Sequence, residues 1–299
     1  LLLPVAALSG WLTGRKSTTN KAAPKYFTGL KDSISRQPDK TVDTLVEMPS
    51  VDEDTIETHL TLGSLFRRRG ELERAIRLHQ GLVERGGIAT AYKSMALLEL
   101  ARDFIAAGVL DRAEEILLEL IASNEQVIPS LEHLLDLYQR GKEWFAAINI
   151  AYKLQKIKGA DLRMTIAHYY CELAEQAFKT QQFKQAKYCL KCAVKTKPDC
   201  ARAIILRANI EQSLGNYSKA IKLYKHVATQ NIDYFPLVID EIVKCYQQSS
   251  QGSPVFLDAA RLNTKYRCTN CGFLAGKLQW LCPSCRRWDM IKAVPQGTL

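Results

Sequence analysis

Four cysteines near the carboxy terminus, Cys268, Cys271, Cys282 and Cys285, are spaced C-x2-C-x10-C-x2-C. A CxxC turn aims two sulfurs and the neighbouring backbone N–H groups at one point, so two such turns set four thiolates at the corners of a tetrahedron. Tetrahedral sulfur suits iron or zinc alike. Gly272 suits the left-handed position just after the first pair, and Pro283 stiffens the second turn. A divalent ion held by four thiolates carries about two net negative charges, which Arg267, Lys277, Arg286 and Arg287 are placed to offset. With no open coordination position such a site is structural, and loss of one ligand is expected to unfold it. Chance clustering or disulfide pairing fits the symmetry of the two pairs poorly. Nine cysteines in all, an odd number with five in helical patterns, suit a reducing compartment.

Other chemistry-bearing residues read as structural. Cys189-x-x-Cys192, with Cys200 nearby, falls inside a helical pattern and lacks the strand that a redox CxxC motif requires. His59, His79, His133, His168 and His226 are scattered over helical positions in no zinc-hydrolase spacing, so packing or groove-lining roles are expected of them. Arg67-Arg68-Arg69 ends a predicted helix, where positive charge complements the dipole and a solvated face is expected. Neither a phosphate loop nor a dinucleotide fingerprint is present, and the chain reads as a non-enzyme.

The elements that must carry these residues repeat. A small residue early in a helix, after a short turn, recurs at Thr41, Ala75, Ala113, Ala147, Ala186 and Ala220, with an aromatic or large apolar residue four positions on at Leu45, Leu117, Leu190 and Tyr224. The separations of 34, 38, 34, 39 and 34 match the 34-residue period of tetratricopeptide repeats. First helices offer Leu62-Gly63, Leu100-Ala101, Leu134-Leu135 and Leu173-Ala174, with bulky Phe66, Phe104 and Tyr138 three residues beyond. Turns are marked by Arg69-Gly70, Ala107-Gly108, Arg140-Gly141 and Leu214-Gly215-Asn216. Second helices open on Leu72, Leu110, Trp144, Phe183 or Tyr217. Two short helices cannot bury a shared apolar face alone, so pairs stack, and the small residue lets them approach. A mainly α fold follows: a helical-hairpin superhelix over 22–248, a linker over 249–263, and a small four-cysteine domain over 264–293.

Charge sits at the ends. The net charge is +10, yet residues 41–260 hold 27 basic and 28 acidic side chains. Without a basic stripe along the body, nucleic acid is not an expected partner. Residues 1–12 read LLLPVAALSGWL, shorter than the ~20 apolar residues that span a bilayer. They are followed by Arg15, Lys16, Lys21 and Lys25. A cleaved signal carries its charges before the apolar stretch, so residues 1–14 read as a truncated transmembrane anchor and 15–21 as a basic juxtamembrane linker. The positive-inside rule then puts the bulk of the chain in the cytoplasm.

The order of parts resembles the lipopolysaccharide assembly protein B family of bacteria. The likeness is carried by HLTLGSLFRRRGELERAIRLHQ at 59–80, AAGVLDRAEE at 106–115, AHYYCELA at 167–174, and YRCTNCGF and WLCPSCRRW in the tail. The cysteine knuckles also resemble those of rubredoxins, though the linker between them is shorter, nearer a zinc ribbon. The resemblance implies a single-pass inner-membrane protein with one iron held by Cys268, Cys271, Cys282 and Cys285, zinc being the alternative. It further implies an adaptor that presents the lipid A pathway deacetylase to a membrane-bound AAA+ protease, alongside other envelope-assembly proteins. The competing expectation is an electron-transfer or redox- and iron-sensing protein using the tail. Family members carry further repeats where this chain has only the linker after Gln248.

Overall fold

The computed structural model describes residues 37–47, 53–230, 234–249 and 265–294. The anchor and basic segment expected over 1–21, and nearly all of the linker expected over 249–263, lie outside the described residues. Among the described residues no helix is long and apolar enough to cross a membrane.

Twelve helices and three short strands make up the described residues. Helix α1 spans Pro38–Glu47. It is followed by the pairs α2 (Glu53–Arg68) and α3 (Leu72–Val83), α4 (Thr90–Ala107) and α5 (Leu110–Ala122), and α6 (Val127–Gly141) and α7 (Trp144–Lys158). The pairs α8 (Arg163–Lys179) and α9 (Phe183–Thr196), then α10 (Ala201–Ser213) and α11 (Tyr217–Gln230), continue the series, and α12 spans Phe235–Gln248. Every second helix from α3 to α11 begins on the large residue expected of it. Its small residue is the fourth of the helix, and Ala75, Ala113, Ala147, Ala186 and Ala220 are all fully buried. The first helices within the two longer separations, α4 and α8, have 18 and 17 residues against 16, 15 and 13 in α2, α6 and α10, and the connection before α4 (84–89) has six residues where those before α6, α8 and α10 have four.

The turns inside the hairpins share one closure. The amides of Glu71, Val109, Glu143, Gln182 and Asn216 donate to the carbonyls of Phe66, Phe104, Tyr138, Ala177 and Glu211, five residues earlier, at 2.8–2.9 Å. This is the six-to-one bond that ends a helix through a left-handed residue. That residue is Gly70, Gly108 and Gly215 in three turns, but Lys142 and Gln181, both at φ +59°, in the other two. Gly141, expected to make the third turn, instead ends α6 in helical conformation. The acceptor is Tyr138, and the bonded ring puts the left-handed position four residues after it, at 142.

The chain divides into two compact units, up to Ser130 and from Leu131 onward. In the first, Val42, Leu45, Leu62, Phe66, Ala75 and Leu78 form one apolar cluster. Beside it runs a chain of charges. Arg67 bridges Glu99 and Asp103 (each 2.7 Å), and Asp103 accepts from His79 Nδ1 at 2.5 Å. Arg67 is therefore a half-buried tie between α2 and α4, while Arg68 and Arg69 are on the exposed face expected of the run. Gly63 leaves the space that the His79 ring fills.

In the second unit the helices are followed by strands β1 (Lys265–Cys268), β2 (Leu274–Ala275) and β3 (Ile291–Val294). They form an antiparallel sheet in the order β2-β1-β3, with Tyr266 opposite Ala275 on one side and Ala293 on the other.

Candidate metal centre

Strand β1 delivers Cys268 at its last residue, and the chain turns at once. The Gly272 amide donates to the Cys268 carbonyl at 2.9 Å, and Gly272 has φ +78°. The second knuckle repeats the turn: Arg286 donates to the Cys282 carbonyl at 2.9 Å, with φ +54°. A tight hairpin holds this knuckle, with Cys282 N to Arg287 O at 3.0 Å and Asp289 N to Trp280 O at 2.7 Å.

Two such turns bring the sulfurs together. Sγ of Cys268 and Cys285 are 3.7 Å apart, those of Cys271 and Cys282 3.6 Å, and all four lie within 4.8 Å of one another. A tetrahedral ion with metal–sulfur bonds of about 2.3 Å needs sulfur–sulfur edges of about 3.8 Å, so the donor set fits. Cys268 and Cys282 are buried, Cys285 half-buried and Cys271 exposed.

The environment favours thiolate at the wet edge. The Phe273 backbone N–H lowers the Cys271 thiol to about 6, and the Arg287 backbone N–H holds the Cys285 thiol below its ordinary value. Burial pushes Cys282 up to about 11. The four sulfurs together would hold a divalent ion, whose charge would favour the thiolate form of Cys282 as well.

The knuckle's own core is small: Tyr266, Cys268, Cys282 and Ile291. Its two tryptophans pack elsewhere, against the helices of the same unit, Trp288 buried and Trp280 half-buried. Trp288 is 6% exposed and stacks on His168 of α8 with centroids 4.9 Å apart and planes 15° from parallel. Its Nε1 donates to Gln139 Oε1 of α6 at 2.9 Å, an oxygen that also accepts from Tyr169 at 2.8 Å. The Arg202 guanidinium of α10 lies 5.6 Å from the Trp288 ring and is itself paired with Glu172 and Glu175. Trp280 packs between Tyr234 (5.5 Å) and His168 (5.9 Å). Tyr234 donates to Asp289 at 2.7 Å and accepts from Lys292 at 2.8 Å. Burial first, then Arg202 and Lys292, drives the His168 pKa down to about 3, which leaves a neutral ring beneath Trp288.

Residues 266–293, which contain all four cysteines, match a family described as a rubredoxin metal binding domain. The chain thus has a four-cysteine metal-binding site. Over its length it is 30% identical to the lipopolysaccharide assembly protein B of Escherichia coli strain K12, covering 98% of this chain and 97% of that one. For the Haemophilus influenzae strain Rd protein of the same name the identity is 32%, with the same coverage. The chain belongs to the lipopolysaccharide assembly protein B family. The alignment with the Escherichia coli member runs over 377 positions, more than the 299 residues here, so that member has residues with no counterpart in this chain. The helical hairpins are of the tetratricopeptide kind. Looser likenesses are to a tetratricopeptide repeat protein from Parabacteroides merdae (16% identical, TM-score 0.40, covering 66% of this chain and 74% of that one) and to Pseudomonas aeruginosa PilF (16%, 0.34, 66% and 86%).

The spacing of the cysteines led to the site, while the seat formed by Gln139, His168, Tyr169, Arg202 and Tyr234 went unseen. One signal pointed to it. Trp280 and Trp288 lie in a segment of some 30 residues that is too small to bury both in a core of its own. Of the remaining cysteines, Cys171, Cys189, Cys192 and Cys245 lie in helices, whereas Cys200 is the residue just before α10.

Proposed function

We propose that this member of the lipopolysaccharide assembly protein B family is an adaptor and not an enzyme. Anchored in the bacterial inner membrane with its bulk in the cytoplasm, it presents the lipid A pathway deacetylase to a membrane-bound AAA+ protease and so adjusts lipopolysaccharide output. The observation that carries this reading is the likeness over the full chain to relatives named for lipopolysaccharide assembly. A repeat scaffold with a metal knuckle seated on its helices agrees with it. In this reading Cys268, Cys271, Cys282 and Cys285 hold one ion, iron by likeness to rubredoxins and zinc as the alternative. The ion's work is to close the hairpin that carries Trp280 and Trp288 to the helices.

Co-purification tests the adaptor. Tagged chain recovered from detergent extracts should retain the deacetylase and the protease; recovery of neither, with an unrelated protein in their place, would sink the proposal. Elemental analysis with a visible spectrum decides the metal. The competing reading, electron transfer through the solvent-facing edge at Cys271, requires a coloured, reversibly reducible iron site. A colourless zinc protein that retains both partners excludes it.

A further inference from the structure

The near-neutral balance of the repeats conceals a segregation of charge by helix. The second helices of the three hairpins in the unit from Leu131 onward are α7, α9 and α11. Together they hold ten lysines and no aspartate, glutamate or arginine. Because each has its buried small alanine at the fourth position, their residues can be compared place by place. The outward stripe falls at the second, sixth, ninth and thirteenth residues, the i, i+4, i+7, i+11 spacing of one helix face. All twelve positions are exposed.

On α7 the stripe carries Phe145, Tyr152 and Lys156. On α9 it reads Lys184, Tyr188, Lys191 and Lys195, and on α11 it includes Lys222 and Lys225. Phe145 and Tyr188 are 63% and 67% exposed, well beyond what a packed scaffold needs. The stripes are neighbours: Tyr152 of α7 reaches Thr196 of α9 at 3.3 Å, and α10 packs against both α9 and α11. Of the stripe lysines, Lys156, Lys184, Lys191, Lys195 and Lys222 have no acidic partner among the described residues. The same register on α5 of the first unit reads Asp111, Glu115 and Leu118, so the basic stripe is not a property of the repeat itself.

We propose that the face made by α7, α9 and α11 lies against an anionic lipid surface. Its lysines meet the headgroup phosphates, and Phe145, Tyr152 and Tyr188 enter the interfacial zone. Clustered lysines are drawn to anionic bilayers, and aromatic rings favour the headgroup level. Two features favour lipid over nucleic acid. The cations are all lysine, with none of the arginine that recognises phosphates and bases by planar pairing. The exposed apolar side chains include Ile157 beside the stripe, an aliphatic group on which a base cannot stack.

Vesicle co-sedimentation of the full 299-residue chain tests this. Partition into vesicles of three parts phosphatidylcholine to one part phosphatidylglycerol is compared with partition into pure phosphatidylcholine. The triple variant Lys184→Gln, Lys191→Gln, Lys195→Gln should bind the anionic vesicles about 100-fold more weakly, roughly a factor of five per cation removed. Its partition into pure phosphatidylcholine should equal the parent's, since that term reports what the rest of the chain contributes. The matching Lys→Arg variant should bind anionic vesicles as the parent does, which separates loss of charge from loss of fold. Binding of the Gln variant to anionic vesicles within about threefold of the parent overturns the proposal. So does a salt-dependent loss confined to a single-stranded oligonucleotide with vesicle partition unchanged, which would make the face a nucleic-acid surface.

Discussion

His168 shows how much of the seat depends on a single side chain staying uncharged. Its ring is stacked under Trp288, and its folded pKa of about 3 lies well below the ordinary value of about 6.5. The unfolded chain therefore takes up a proton that the folded chain refuses. The sign follows: stability is full above about pH 6.5 and falls as the pH drops towards 3, by ~1.4 kcal/mol for each unit in that window. His168→Phe keeps a ring against Trp288 and removes the titration. Unfolding followed across pH should therefore give a flatter acid limb in the variant, and parallel limbs would refute the assignment. In the first unit the constraint is steric. A Cβ at Gly63 would sit 2.3 Å from Nε2 of His79, whose ring is fully buried and held by Asp103. With the ring unable to withdraw, Gly63→Ala should cost ~1–3 kcal/mol in urea unfolding; a cost within error of zero would mean that the ring is free to move.

At the scale of the element, the hairpin turns separate what composition displays from what hydrogen bonding decides. The starts of α3, α5, α7, α9 and α11 were legible because a large residue followed three places later by a small one is a local pattern. It reports the closest approach of two helices. The left-handed residue was legible only where glycine happens to occupy it. Its place is set by the acceptor carbonyl four residues before, so Gly141 misled and Gln181 gave no cue at all. Lys142 and Gln181 pay the Cβ penalty of that conformation, ~1 kcal/mol or more each, against the greater flexibility that glycine would bring to the unfolded chain. Lys142→Gly and Gln181→Gly should thus each stabilise the fold by about 0.5 kcal/mol, while Gly108→Ala, at φ +77°, should destabilise it by ~1 kcal/mol. Thermal melts that rank the three otherwise would contradict the shared closure. The charge segregation of α7, α9 and α11 is legible only once those starts are fixed. Summed over residues 41–260 the charges cancel, and only the helix register assigns the lysines to one face.

At the scale of the molecule, the four cysteines could be read from spacing because their partners lie within eighteen residues of one another. The seat could not, since Trp288 meets Gln139 across 149 residues with no periodicity to signal the pairing. That long-range contact gives the metal a consequence beyond the knuckle. The hairpin from Trp280 to Asp289 is closed by Cys282 and Cys285 together with a few backbone bonds, while the segment's own core is small. A structural four-thiolate site contributes folding free energy directly. Removing the ion should therefore release Trp280 and Trp288 from the helices while the hairpins keep their buried alanines. The expected result of strong chelation is a red shift of tryptophan emission with most far-UV helical signal retained. Trp288→Ala, which empties the seat at a cost of ~3–5 kcal/mol, should lose most of the chelation-induced shift. If metal removal leaves the emission unchanged, the helices hold the tail without help from the ion, and the cysteines serve something other than this docking.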